Sequence, residues 1–558
     1  MKALYILLFG LALAPQAPYD LVIRGGRLLD GAGNPWVRAD LAIRGDRIAA
    51  IGQLGDLPAR RTIDARNRIV APGFIDMHSH SDFALLVEGR AESKVRQGVT
   101  TEVLGESGSA APVIGPVVDA MKNSLAPLGL QLDWSDFAGY FARLEKQGIS
   151  VNVLTFAGSG QLRSAVMGYD NRPPSASELE RMKTLLRDAM SQGAFGLSSG
   201  LIYPPNSYMK TDELVELARE AARTGGLYIS HVRGEGTSLL EALKEAVTIG
   251  ERASLPVEIF HFKATGFMRG KILEAVRIIE EARGRGLDIA ANQYPYVAGS
   301  TGLSASIPSW AHEGGRLKLV ERLKDPQARE RIKAEMKTGA PGWHNLVKET
   351  GNFENIRVAS VRSDSNKKFE GRSIAAIAKE RGTAPEDALM DLLIEEQGNV
   401  GAIYFSMIED DVKTAMKLPW VSIGSDGTAV SPEGVLGRGK PHPRFYGTFP
   451  RILGKYVREE KILTLEDAVR KMTSLPAARL RLSDRGLLRA GMAADVVVFD
   501  PERVIDRATF DDPHRYAEGI DVVVVNGQVV LDEGRHTGAS PGRALRGPGY
   551  RSAALRTN

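Results

Sequence analysis

Two textures alternate along the chain. From Asp20 the sequence DLVIRGGRLLDGAGNPWVRADLAIRGDRIAAIG runs in short stretches of alternating apolar and polar residues broken by Gly and Asp turns. That is the pattern of half-buried β-strands. It returns near the C-terminus in ADVVVFD (494–500) and DVVVVNGQVVLDEG (521–534). Two β-rich ends around a long middle predict one small composite β-sandwich, built from 18–71 together with 481–545.

Between them, apolar runs alternate with amphipathic helical stretches, which predicts βα units around a parallel sheet. SASELERMKTLLRDAMSQG (175–193) opens on Ser175 with Glu178 three residues on and closes on Gly193, a capped helix by its own signals. TDELVELAREAARTGG (211–226) reads the same way, with Thr211 as the cap. The strand-like runs are GFIDMHSH (73–80), TTEVLGE (100–106), VNVLTFAGSG (151–160), AFGLSSG (194–200), LYISHV (227–232), VEIFHFK (257–263), DIAANQYPY (288–296) and WVSIGSD (420–426). Eight such runs predict an α/β fold, a (β/α)8 TIM barrel over 72–480. IRVASV (356–361) and AIYFS (402–406) also read as strands within the long gap from 296 to 420. We expect much of that gap, 302–355, to be an insertion capping the site.

The first residues, MKALYILLFGLALAPQAPYD, place one Lys before an apolar run from Ala3 to Ala14. The run is too short to span a membrane but suits a secretory signal over 1–17, hence a periplasmic or secreted protein. A leader folded against the body of a cytoplasmic protein is the alternative. Composition is that of an ordinary globular protein, 43% hydrophobic and 25% charged. The formal charge of +4 is spread thinly over 558 residues without Lys/Arg blocks, so nucleic acid is not an expected partner. With no cysteine in the chain, disulfides and thiol nucleophiles are excluded, and any metal must use His and carboxylates.

A barrel carries its chemistry at the C-terminal ends of its strands. Of nine histidines, four fall at such ends. His78 and His80 close the first strand two residues apart, which points both imidazoles to one face. His231 closes the fifth strand, His261 the sixth, and Asp426 the eighth. A single strand-end His is commonly a hydrogen-bonded structural residue, but four with an aspartate at matching ends point to a metal site. His312, His344, His442, His514 and His536 lie in loops and are expected at the surface. Glu106, in TTEVLGESGSAAP, ends the second strand at the same level as the histidines.

With APGFIDMHSHSD, SHVRGEG, HFK at 261–263, NQYPYVAGST, GSDG, PHPRFYGTFPR and GMAADVVVFDP in place, the chain resembles the amidohydrolase superfamily and, within it, the D-aminoacylases. The likeness runs from Asp20 to Arg546. It implies a metal-bearing barrel with a composite β-sandwich, one or two divalent ions, zinc foremost, and hydrolysis of an N-acyl amide. The family's metal pattern falls on His78, His80, His231, His261 and Asp426, with Asp426 also the catalytic acid/base. The residues that hold the substrate carboxylate in such enzymes fall on Lys263, Tyr294 and Arg444. A salt bridge, a packing role and loop ordering are the respective alternatives.

The departure is at the second strand, where D-aminoacylases usually end in Gly-Asn-Cys-Gly and use the Cys as a ligand. Here the text is GESG, and the Cys position falls on Glu106 or Ser107 depending on which side it is aligned from. A neutral hydroxyl is a poor ligand, whereas a carboxylate can bridge two cations, so Glu106 is the expected substitute. The expected activity is deacylation of a small N-acyl-D-amino acid. A dipeptide, an N-acyl-L-amino acid or a cyclic amide is the alternative within hydrolysis, and a non-catalytic metal-binding barrel the alternative outside it. Phe267, Ser300 and parts of the insertion are expected in the pocket wall.

Overall fold

The structure, a computed structural model, describes residues 19–551; the expected leader at 1–17 lies outside them. Among the described residues no helix is long and apolar enough to cross a membrane.

The eight expected runs form the barrel. Its strands are Phe74–Asp76, Val99–Leu104, Asn152–Thr155 continued by Ala157–Gly158, Gly196–Gly200, Leu227–His231, Val257–Ile259, Ile289–Gln293 and Val421–Ile423. We number them barrel strands 1 to 8. All are parallel to their neighbours. Closure between strands 8 and 1 comes from the Met77 N–H donating to Ile423 O (3.3 Å) and a parallel bridge between Ser79 and Gly427. The strands are buried along their whole length, because helices cover the outside and side chains fill the inside.

Helix Ala176–Gln192 has the expected capping box of Ser175 and Glu178 and ends on Gly193 at φ 114°. Helix Thr211–Ala222 departs from expectation: no side chain caps it, and the Thr211 hydroxyl instead donates to Glu245 Oε1 at 2.8 Å. The neighbouring carboxylate is the stronger acceptor for that hydroxyl.

The composite β domain draws five strands from the N-terminal side and four from the C-terminal side. They form one continuous nine-stranded sheet that curls until Arg47 meets Ala493 in an antiparallel bridge. This explains an oddity of the runs ADVVVFD and DVVVVNG, which are apolar at every position instead of alternating. Val496, Val498, Val522 and Val524 fill the domain's own core, while Val497, Phe499, Val523 and Val525 join the barrel core. The period-2 pleat therefore buries both faces. Beyond the sheet, the chain crosses the N-terminal ends of strands 3 and 4: Leu545 N–H donates to Val153 O (2.7 Å) and Gly547 N–H to Gly193 O (2.9 Å).

The insertion is larger than 302–355. Gly299–Gly302, Gly401–Tyr404 and Ile356–Ser360 pair antiparallel in that spatial order, and a separate core from Leu303 to Tyr404 packs behind them. The two extra strand-like runs belong to this lobe and not to the barrel. An apolar run of that length carries no mark of its pairing partner, so the sequence could not assign it.

Candidate metal centre

The C-terminal ends of the barrel strands bring the predicted residues together. His78 is buried, with its Nε2 2.6 Å from Glu106 Oε2 and 3.8 Å from Asp426 Oδ1. His80, two residues on, turns the same way and faces the open chamber, with Nε2 3.4 Å from Glu106 Oε2 and 2.9 Å from Asp426 Oδ1. On the other side of Glu106, His231 Nδ1 lies 3.3 Å from Oε1. His261 Nε2 lies 3.9 Å from Asp426 Oδ2.

These residues form two clusters: His78, His80, Glu106 and Asp426, and Glu106, His231 and His261. Within each, one ligand atom per residue lies within 4.8 Å of the others. Glu106 is the member they share, offering a different oxygen to each. Ser107, the other candidate, belongs to neither; its hydroxyl donates to Asn206 Oδ1 at 3.1 Å.

Local backbone explains how Glu106 reaches this position. Strand 2 ends at Leu104, and Gly105 turns at φ 88°, where a Cβ would stand 2.3 Å from Phe156 O. Only glycine fits there, and the turn swings Glu106 inward. His261 (φ 35°) and Asp426 (φ 49°) also sit in the sparsely populated left-handed region, as is common where surrounding structure over-determines a functional conformation. The Asp426 backbone is held by its N–H donating to His78 O at 2.8 Å.

The electrostatics suit a cation. Burial lowers the His78 pKa, and burial followed by the nearby Lys263 charge takes His261 down to about 3, so both imidazoles are neutral, as ligands must be. Burial pushes the Glu106 carboxyl up, but hydrogen bonds from His231 and His78 outweigh it and hold the group well below its ordinary value. Asp426 is likewise raised by burial, but Arg444, whose Nη1 lies 2.9 Å from Oδ2, together with His78, His80 and His261 holds it well below its ordinary value. Glu106, Glu235 and Asp426 thus bring three carboxylates to the chamber, against Lys263 and Arg444 inside it. Arg438 is exposed at the rim. Two histidine pairs around a shared carboxylate fit one or two divalent ions.

Beside the clusters lie the three residues expected at a substrate carboxylate. The Arg444 guanidinium stacks 4.6 Å from the Tyr294 ring centroid, and Lys263 Nζ is 5.6 Å from the same centroid. The Tyr294 hydroxyl and Arg444 Nε are buried without a hydrogen-bond partner. All three residues line a chamber of ≈ 680 Å³ that also holds the metal clusters. Its wall includes Ile202, Ser300, Thr301, Leu346 and Leu436, so the insertion lobe does contribute. Phe267 does not: it is 68% exposed and stacks under Lys271, whose Nζ is 3.6 Å from the ring centroid. The helical turn after strand 6 carries it outward.

Two histidines expected at the surface are buried. His442 donates from Nε2 to Ala298 O (2.9 Å) and accepts the Arg444 backbone N–H at Nδ1 (3.0 Å), fixing where Arg444 starts. His344 is covered where the insertion lobe meets the loop after strand 5. Packing of the lobe onto the barrel, invisible in a loop sequence, buries both.

Two further residues were not read from the sequence. Lys94 is fully buried below the centre, donating to Asp76 Oδ2 (2.6 Å), Ser425 Oγ (2.8 Å) and Gly427 O (3.0 Å). Asp76 in turn accepts the N–H of Ser425 (2.7 Å) and of His78 (3.3 Å). This network ties the end of strand 1 to the end of strand 8, where His78, His80 and Asp426 emerge. Glu235, four residues past His231, stands behind the second cluster, with Oε1 3.1 Å from His261 Nδ1 and 2.5 Å from Lys263 Nζ. The signal for it was its spacing from His231; the GEG context reads as a solvated loop acid.

Comparison with known proteins identifies the family. The amidohydrolase family pattern matches residues 61–531. The D-aminoacylase of Alcaligenes xylosoxydans xylosoxydans is 38% identical over 95% of this chain and 98% of its own length. The N-acyl-D-glutamate deacylase of the same organism is also 38% identical, over 95% and 97%. The crystal structure of N-acyl-D-glutamate deacylase from Bordetella bronchiseptica, complexed with zinc and a phosphonate mimic of the tetrahedral intermediate, superposes with a TM-score of 0.80. It is 36% identical, and the match covers 95% of this chain and 100% of that one. With a family match over most of the chain and relatives similar along nearly its whole length, the chain belongs to the amidohydrolase family, within its D-aminoacylase branch.

Proposed function

We propose that this protein hydrolyses the amide of an N-acyl-D-amino acid, releasing a carboxylate and a free D-amino acid, with one or two divalent ions, zinc foremost, held by His78, His80, Glu106, His231, His261 and Asp426. The observation that carries this reading is the juxtaposition of buried, unpartnered donors on Tyr294 and Arg444 with the two His-carboxylate clusters in one chamber. Unpaired buried donors are costly, and a substrate α-carboxylate satisfies them. The activities of the relatives support the D configuration and the zinc.

A divalent ion bound there supplies Lewis acidity to the amide carbonyl and to the attacking water. Asp426 accepts the proton of that water and returns it to the leaving nitrogen, a double role open to one positioned carboxylate. Lys263, Tyr294 and Arg444 fix the far end of the substrate, so that the amide is presented to Asp426 in a reactive orientation. Arg444 contributes a planar fork for a carboxylate.

A panel of N-acyl-D-amino acids, N-acyl-L-amino acids, dipeptides and cyclic amides tests the proposal. Turnover is expected on the N-acyl-D members; turnover confined to cyclic amides, dipeptides or L substrates would reject it. Tyr294→Phe tests the carboxylate trio separately. The lost hydrogen bond to a charged group is worth about 1.5–3 kcal/mol, so kcat/KM is expected to fall about 10- to 100-fold. Because the hydroxyl has no partner in the free protein, the thermal midpoint should not fall. Unchanged kcat/KM with a lower midpoint would make Tyr294 a packing residue.

A further inference from the structure

We infer that Glu235 is a positioning residue that sets the tautomer of His261 and so makes its Nε2 available to a metal. The inference rests on the metal centre of the preceding reading, not on its substrate.

A neutral imidazole carries one N–H, and a ring nitrogen that carries the proton cannot ligate. His261 Nε2 faces the centre, 3.9 Å from Asp426 Oδ2, and Nδ1 faces away. Two groups of opposite character meet Nδ1. Lys263 Nζ lies 2.8 Å from it, and an ammonium has donors only. Alone, Lys263 would make Nδ1 an acceptor and drive the proton onto Nε2, the nitrogen that must be free. Glu235 Oε1 lies 3.1 Å from the same nitrogen. As a carboxylate it only accepts, and it therefore holds the proton on Nδ1 and leaves the Nε2 lone pair pointing at the centre. The same oxygen accepts from Lys263 at 2.5 Å, giving the ammonium an anionic acceptor besides Nδ1.

The arrangement is built to be fixed. Glu235 is 5% exposed, and its backbone carbonyl accepts the Thr265 N–H at 2.8 Å, which locks the loop after strand 5 onto the loop after strand 6. Its Oε1 also stands 3.7 Å behind His231 Nε2, so one carboxylate backs both histidines of the second cluster. Carboxylates behind metal-bound histidines typically account for about 10- to 100-fold in affinity.

The test is zinc affinity by chelator competition, on the full-length wild type and on Glu235→Gln, Glu235→Ala and the double variant Glu235→Ala/Lys263→Met. Glu235→Ala is expected to bind the second-cluster ion about 10- to 100-fold more weakly. Glu235→Gln, which still offers an amide oxygen to the Nδ1–H, should lose less. Removing the competing donor in the double variant should recover most of the affinity lost in Glu235→Ala. A purely structural role would not produce that rescue. Wild-type affinity in Glu235→Ala, or no recovery in a double variant whose metal-free melting matches the wild type, would overturn the assignment. Should Glu235→Ala fail to fold, ¹⁵N spectra of histidine-labelled Glu235→Gln and wild type decide the matter. An Nδ1-protonated His261 in the wild type is expected, and an Nε2-protonated one would overturn the proposal. These readouts use no substrate, so a wild type inert towards N-acyl-D-amino acids would reject the deacylase reading while leaving this one to stand on its own result.

Discussion

Asp426→Asn is expected to lower kcat by about 10²- to 10⁴-fold, the range that a positioned general acid–base supplies, in a protein that still folds. Asparagine has the same shape and can keep the backbone N–H bond to His78 O, at 2.8 Å in the wild type, as well as the left-handed φ of 49°, which Asn tolerates well. An amide, however, cannot take up the proton of an attacking water. Both carboxylate oxygens are held in place for proton transfer, with Oδ1 2.9 Å from His80 Nε2 and Oδ2 2.9 Å from Arg444 Nη1. Initial rates at saturating substrate, with metal content determined on the same sample, separate the proton-transfer role from the ligand role. Wild-type turnover in Asp426→Asn would remove Asp426 from the chemistry.

The second large effect is on metal content. Glu106→Gln is expected to lose at least one equivalent of bound ion per chain and to be nearly inactive. Glu106 gives Oε2 to His78 and His80 and Oε1 to His231, so each cluster has its own oxygen. Glutamine keeps one acceptor oxygen and replaces the other with a donor, which can serve one cluster only. Its amide also removes a negative charge from the centre of the chamber. Elemental analysis of purified variant and wild type reads this directly. Unchanged stoichiometry and affinity would show that Glu106 holds no metal.

The chemistry was more legible in the sequence than its supports. Strand-end residues could be read because a parallel barrel places the C-terminal ends of its strands at one level, so a His or Asp that closes an apolar run has a known address. His-x-His adds period-2 geometry, and the Leu104–Gly105–Glu106 turn places the carboxylate beside the pair. What the sequence withheld depends on pairing over long separations. Ile356–Ser360 and Gly401–Tyr404 look like barrel strands until they are seen to pair with each other, with Gly299–Gly302 on the far side of Gly401–Tyr404. Val497 and Val498 look alike in a run of valines, yet one packs into the barrel and its neighbour into the β domain. Lys94, in the four-residue helix Glu92–Val95, reads as a surface lysine. Only the fold shows its four acceptors, two of them more than three hundred residues away. Glu235 and His442 were missed for the same reason: each sits in a loop whose burial comes from another part of the chain.

A metal centre shared through Glu106 and serving hydrolysis of N-acyl-D-amino acids is open to one direct measurement. Wild-type protein is stripped with a chelator, zinc is titrated back, and hydrolysis of matched N-acyl-D- and N-acyl-L-amino acids is followed at each step. The stripped protein is expected to be inactive, to recover within one or two equivalents of zinc, and to hydrolyse the D enantiomer alone. Full activity without metal, or equal hydrolysis of both enantiomers after reconstitution, would refute such a centre.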